Sequence, residues 1–257
     1  MTTALIGHTG FVGGNLLRQT QFDDLFNSSN IRDLEGRSYD LLVCSGARAE
    51  KWKAAQDPDA DWRNTASLME VLETVRAKTA VLISTIDVYP TPRGVDESTP
   101  IDGESNHPYG KHRYRLEDFF RLRFDTLVLR LPGLFGHGLK KNVIYDFLND
   151  NDVSKVNSEG IFQFYNLDWL WNDVEKARGL GLSLLNLATE PTSVRDLAQE
   201  AFGTTFDNPL PNPALYDFRS MHFAQWGGRD GYLRTRDEVM IGMRDFVAAS
   251  RQGRIAE

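Results

Sequence analysis

Thr3-Ala4-Leu5-Ile6-Gly7-His8-Thr9-Gly10-Phe11-Val12-Gly13-Gly14 is the stretch that decides the fold. Residues 3–6 form an apolar run of strand length, glycine recurs at 7, 10 and 13, and residues 15–19 continue with helical spacing. A strand, a glycine-spaced turn and a helix start in this order make a phosphate-binding device. Gly7 permits the tight turn, Gly10 admits a pyrophosphate close to the backbone, and Gly13 lets helix and strand approach. The first N–H groups of the helix and its positive end then point at the anion. His8, Thr9, Phe11 and Val12 complete the candidate cofactor-binding turn. Taken alone, the pattern also fits an ordinary strand–helix connection, so its meaning depends on residues further along the chain.

The 257 residues are 41% hydrophobic and 25% charged with a net charge of −7, the profile of an ordinary globular protein of one domain or one domain and a small lobe. The acidic balance argues against nucleic acid or an anionic membrane as partner, yet leaves room for an anionic small molecule in a locally positive pocket. No apolar run approaches a membrane span, and residues 1–14 carry no signal-peptide pattern. The single cysteine, Cys44, ends the apolar run 41–44 and reads as a buried strand thiol, with a reducing cytoplasm as the expected compartment.

Candidate strands at 3–6, 41–44, 80–84 and 126–131 alternate with helix-like stretches at 11–20, 60–77 and 110–123. This alternation predicts an α/β fold, a Rossmann-like doubly wound parallel sheet covered on both faces. The interval 22–37 has room for one strand at Asp24–Phe26 and a loop, not for a further strand–helix unit. A nucleotide-binding domain over 1–132 is expected, with a strand near 184–187 returning to its sheet. Residues 133–257 read as a smaller substrate lobe with helices at 140–149, 173–180, 192–202 and 235–250.

Strand 80–84 runs into Ser84-Thr85-Ile86-Asp87-Val88-Tyr89, where polar side chains at a carboxyl end would face a ligand crevice. His107-Pro108-Tyr109-Gly110-Lys111-His112-Arg113 then opens a helix, and the i, i+4 spacing puts Tyr109 and Arg113 on one face. A cation beside a phenol favours phenolate, so this pairing predicts a lowered pKa and a tyrosine able to exchange a proton nearer neutral pH.

With these residues together, the chain resembles the extended short-chain dehydrogenase/reductases, the nucleotide-sugar epimerases, dehydratases and reductases. The resemblance spans nearly the whole chain. It rests on G-x-x-G-x-x-G at 7–13, Asp33-Leu34 after the second strand, Ser45-Gly46-Ala47 and Asn64. It continues through Ser84-Thr85-x-x-Val88-Tyr89, the Tyr109 helix start, Leu129-Arg130 through Phe135-Gly136, and Asn186 through Ser193. It implies an NAD(P)-dependent enzyme acting on a secondary alcohol or ketone, with Thr85, Tyr109, Arg113 and Asp87 as catalytic candidates. It implies adenine contacts from Asp33 and Leu34, a floor of Ser45, Gly46 and Ala47, and contacts from Asn64, Tyr109, Arg113, Pro132 and Gly133. Members often dimerise through the helices expected at 60–77 and 110–123, which makes a homodimer possible.

Three departures matter. Arg113 stands where the family has lysine; it is also a permanent cation, but a bulkier, more delocalised one. A cofactor-binding regulator or scaffold without turnover therefore stays open beside the enzyme. Ile86-Asp87 replaces the Asp-Glu of the dehydratases, which disfavours dehydration and leaves Asp87 as a general acid or a structural carboxylate. After the second strand come Asn27, Ser28, Ser29 and Asn30, neutral and rich in donors, where an NAD-selecting acid would be expected. These residues and His8 lean toward NADP; NAD is the alternative, with Asp33 as the competing NAD-selecting acid, although it matches the adenine position better.

Trp52, Trp62, Trp169, Trp171 and Trp226 read as core or pocket wall, and His107 and His112 as surface or capping groups. No spacing of histidine, cysteine or carboxylate suggests a metal. Lys140, Lys141 and Asn142 read either as contacts to a nucleotide diphosphate or as a solvated helix start, and 163–171 as a possible lining for a sugar.

Overall fold

A computed structural model describes residues 1–253. The apolar runs become parallel strands, as period and length require. β1 (Thr3–Ile6) pairs in parallel with β2 (Asp24–Phe26) on one side and with β3 (Ser38–Cys44) on the other. Between them lie α1 (Phe11–Gln19) and, after β3, α2 (Lys51–Gln56) and α3 (Pro58–Leu72). β4 (Arg76–Thr85) pairs in parallel with β3. β5 (Arg93–Val95), α4 (Pro108–Arg123), β6 (Thr126–Leu131), β7 (Gly133–Phe135) and α5 (Val143–Asn149) follow. Then come β8 (Ile161–Phe162), β9 (Phe164–Asn166), α6 (Leu170–Gly179), β10 (Leu184–Asn186), β11 (Thr192–Ser193), α7 (Val194–Phe202), β12 (Asp217–Phe218) and α8 (Arg236–Arg251).

The main sheet has the order β10-β6-β4-β3-β1-β2, a doubly wound α/β arrangement. The strand order reverses at β1, so the carboxyl ends of β1 and β3 flank the crevice where such sheets take ligands. Alternate side chains define the two faces. Ala4, Ile6, Leu42, Cys44, Ala80, Leu82 and Val128 pack with Val71 and Leu72 of α3 and with Leu116 and Phe120 of α4 in one core. Leu16 of α1 and Leu170, Val174 and Ala177 of α6 are fully buried, and these two helices pack together. Burial pushes the Cys44 thiol up to about 11, which keeps it an unreactive core group.

The chain forms two compact units. The first comprises Met1–Thr91, Thr99–Arg130 and Trp169–Leu185; the second comprises Pro92–Ser98, Leu131–Asp168 and the residues from Asn186 onward. In the second unit α7 packs on α8, whose start is fixed by a reciprocal cap between Thr235 and Glu238. Glu97 ties that unit internally, accepting bonds from the Asn186 N–H (2.8 Å), the Ser220 hydroxyl (2.6 Å) and the Met221 N–H (2.8 Å). Among the described residues no helix is long and apolar enough to cross a membrane.

Several element boundaries differ from expectation. The helix expected over 60–77 ends at Leu72, and β4 begins at Arg76. The first half of β4 alternates exposed with half-buried residues, so it carries no continuous apolar run to betray it. α2 had no helical signature in the sequence. The helix expected over 140–149 starts at Val143, because Asn142 leaves helical backbone (φ 116°) and caps the Ile144 and Tyr145 N–H groups with its side chain.

Candidate active site

Gly7 turns the chain at φ +86°, and a Cβ there would fall 2.6 Å from the Ser45 carbonyl oxygen at the end of β3. A Cβ on Gly13 would collide with the Gly7 carbonyl, so the start of α1 is seated directly on the turn. Gly10 caps α1 without a side chain, which leaves the helix's first N–H groups for an anion. Ser45 turns its hydroxyl to the Ile6 carbonyl (2.9 Å). His8 reaches the Phe26 carbonyl through Nδ1 at 3.0 Å; a carbonyl only accepts, so Nδ1 carries the proton. This end of the site fits a dinucleotide pyrophosphate.

Past β2, the loop closes on itself. Asn27 Oδ1 accepts from the Ser29 N–H (2.8 Å) and hydroxyl (2.6 Å), and Asn30 Oδ1 accepts from the Asn27 N–H (2.7 Å). Ser28 is exposed. Asp33 is exposed in the turn Ile31–Leu34, whereas the Leu34 side chain lies wholly in the core. Gly46 and Ala47 follow Ser45 half-buried. Asn64 is exposed on α3 and donates to the Ala60 carbonyl of its own helix (2.8 Å).

At the end of β4, Thr85 caps a short turn, Ile86–Val88, by accepting from the Asp87 N–H (3.1 Å). Asn106 Nδ2 clamps that turn by donating to the carbonyls of Asp87 (2.9 Å) and Val88 (2.8 Å). A Cβ on Gly110 would collide with the Asp87 carbonyl, so the residue after Tyr109 must be this small for α4 to dock. The result brings the Thr85 hydroxyl near enough to the buried Tyr109 phenol to favour its ionised form. Asp87 is paired with Lys51 of α2 (2.9 Å), a residue that sequence reasoning did not single out. Ser84 does not face the crevice; its hydroxyl bonds buried Glu117 at 2.5 Å.

The phenol departs from expectation. Its pKa is raised rather than lowered: burial is the largest cause, Arg113 opposes it, Asp87 adds to it, the Thr85 hydroxyl opposes it and Asp61 adds to it. Arg113 lies over the ring face, Cζ 4.6 Å from the centroid. Its donors go to Asp61 (3.1 and 3.2 Å), Thr65 (3.3 Å) and the Arg48 carbonyl. Arg113 is therefore not turned toward a ribose. His112, expected as a surface or capping group, is buried with Nδ1 at 2.8 Å from Asp61. A charge as deeply buried as that of Arg113 needs a partner, and that rule is the signal that points from Arg113 to an acid on the facing helix.

His107 does cap α4, accepting from the Gly110 N–H at 3.1 Å through Nδ1. Its pKa is lowered, first by burial and then by the Lys51 charge, against the opposing Asp87. A histidine depressed on folding stabilises the fold above its unfolded pKa of 6.5, and the contribution is lost as pH falls through the lower folded value. Stability should fall as the pH drops from 6.5 toward the folded value and level off below it. In His107→Ser, which keeps a cap worth about 1 kcal/mol, denaturant titrations at several pH values should show a flatter dependence.

In the second unit, Gly133 opens β7 after Pro132, and its N–H bonds the Gln163 carbonyl (3.1 Å). Gln163 does not line a ligand space. It is buried and spent on backbone, donating to the carbonyls of Thr189 (2.6 Å) and Phe218 (2.8 Å) and accepting from the Phe218 N–H (2.9 Å). Lys140 and Lys141 are exposed before α5. In the first unit, Trp171 packs edge-on against Phe22 (5.6 Å).

No family model and no curated protein matches the sequence. Solved structures do match the fold. A dTDP-4-dehydrorhamnose reductase from Clostridium acetobutylicum superposes with a TM-score of 0.72 at 15% identity, covering 98% of this chain and 100% of that one. A UDP-galactose 4-epimerase gives 0.70 at 16% identity, with 98% and 99% covered. A dTDP-glucose 4,6-dehydratase double mutant from Streptomyces venezuelae, with NAD bound, gives 0.70 at 16% identity, with 99% and 98% covered. Three reactions share this fold, so at these identities the likeness fixes the architecture and leaves the reaction to the site.

Proposed function

We propose that the protein is an NAD(P)-dependent oxidoreductase or epimerase of the extended short-chain dehydrogenase/reductase type. Its substrate would be a secondary alcohol or ketone, carried on a nucleotide sugar or a similar small molecule. One observation carries the reading. The Thr85 hydroxyl, at the carboxyl end of β4, is close enough to the buried Tyr109 phenol to help lower its pKa, in the same parallel sheet whose β1 ends in the glycine turn. In this reading Thr85 holds the substrate oxygen and Tyr109 passes it a proton. The Gly7–Gly13 turn and the start of α1 would hold the pyrophosphate of a dinucleotide, whose nicotinamide supplies hydride-transfer chemistry when bound. Asn27 to Asn30 directly after β2 carry no acid, which favours NADP over NAD, with exposed Asp33 in the next turn as the competing NAD-selecting acid. Ile86 in place of a second acid disfavours dehydration, and Asp87 remains the only acid in that turn. A homodimer through α3 and α4 and a cytoplasmic location belong to the same proposal.

A second reading has its own support. The pairing of Arg113 with Asp61 takes up donors that a ribose would need, which favours a nucleotide-binding regulator without turnover. Absorbance at 340 nm separates the two, with NADPH or NADH and a panel of nucleotide sugars and their 4-keto forms. Stoichiometric loss of absorbance is the expected result for a reductase. Interconversion of sugars without net loss is expected for an epimerase. Tight nucleotide binding with neither signal would favour the regulator.

A further inference from the structure

The geometry around Tyr109 assigns a role to a residue outside the sequence signature. Arg113 presents its guanidinium to the ring face, while its terminal nitrogens meet both oxygens of Asp61 at 3.1 and 3.2 Å. Both partners are buried, at 3% and 9% exposure, so solvent screens this pair little. A cation closed against a carboxylate presents a dipole to its surroundings, and a dipole's field falls off faster than that of a lone charge. The other charged and titratable groups around the phenol come from three elements. His107 on the phenol's own helix stacks on the ring at 6.4 Å, and His112 shares Asp61. Asp87 enters from the turn after β4, and Lys51 of α2 pairs with it.

We propose that Asp61 is a positioning residue: its two-point grip on Arg113 neutralises the cation and turns its donors away from the phenol oxygen, so that Tyr109 rests protonated at neutral pH, set to donate a proton rather than to accept one. This rests on the reading of Tyr109 as the proton-transferring group. Its consequence is a preference for carbonyl substrates near neutral pH and an alkaline optimum for alcohol oxidation.

The test labels the full-length protein with tyrosine carrying 13C at Cζ. The resonance that disappears in Tyr109→Phe is assigned to Tyr109 and titrated with pH. In Asp61→Asn the midpoint is expected to move to lower pH, and any rate of alcohol oxidation at pH 7 should rise about tenfold for each unit of that movement. Asp61→Glu, which keeps the charge, should retain the wild-type midpoint. Thr65→Val, which removes one uncharged contact to Arg113, should retain it as well. An unmoved midpoint in folded Asp61→Asn overturns the proposal. If that variant does not fold, Asp61→Asn/Arg113→Gln carries the test. Removal of a self-neutralising pair should leave the midpoint near wild type, and a large shift in either direction overturns the proposal. A midpoint that falls in Asp61→Asn without turnover on any substrate supports the role of Asp61 and counts against the enzyme reading. Turnover with an unmoved midpoint does the reverse.

Discussion

Tyr109→Phe is expected to lower turnover by about 100- to 10,000-fold, the range for loss of a positioned proton donor. The substitution removes only the hydroxyl. The ring keeps its contacts with His107 and the Arg113 guanidinium, so fold and nucleotide affinity should hold. Steady-state rates measured beside nucleotide binding check both halves. Retained turnover removes Tyr109 from the chemistry. Loss of nucleotide affinity along with turnover would mean that the ring, and not the hydroxyl, is what the site needs.

The largest expected effect on stability comes from a pair buried beneath that site. Glu117 of α4 is fully buried and receives Arg130 of β6 at two points (2.6 and 3.0 Å), with Arg121 at 2.7 Å and the Ser84 hydroxyl at 2.5 Å. Arg130 is 2% exposed and also donates to the Tyr89 hydroxyl at 2.7 Å. Glu117→Ala would strand that guanidinium without its counter-charge, and removal of one partner from such a pair costs roughly 3–5 kcal/mol. Denaturant unfolding should show it as a lower midpoint. Arg130→Met added to Glu117→Leu should recover much of the loss, because a packed apolar pair carries no desolvation penalty. If Glu117→Ala unfolds at the wild-type midpoint, the network contributes no net stability.

The sheet was legible because strands buried on both faces write themselves as near-continuous apolar runs, as in Leu41 to Cys44 and Leu127 to Leu129. The short 22–37 interval likewise matched one strand and a turn. The outer half of β4 was not legible, since its exposed residues carry no such run. Site chemistry divided along a similar line. Residues close in sequence, Thr85 with Asp87 and Tyr109 with Arg113, could be paired by spacing. Contacts between separate elements could not: Lys51 with Asp87 and Asp61 with Arg113 lie 36 and 52 residues apart. The misjudged direction of the Tyr109 shift follows from that gap. Helical spacing put a cation beside the phenol but was blind to the burial that outweighs it and to the Asp87 and Asp61 charges that add to that burial.

The excursion of Pro92–Ser98 out of the first unit, with Glu97 bonded to Asn186, Ser220 and Met221, bears on how the protein is made. On the ribosome the first unit lacks α6 and β10 until Leu185 has emerged. Glu97, synthesised early, then waits more than a hundred residues for the partners that fix it. Neither unit is a contiguous stretch of the gene, so a cut at any single point leaves at least one unit incomplete. Inheritance, expression and any division of the protein into working pieces must treat both units as one.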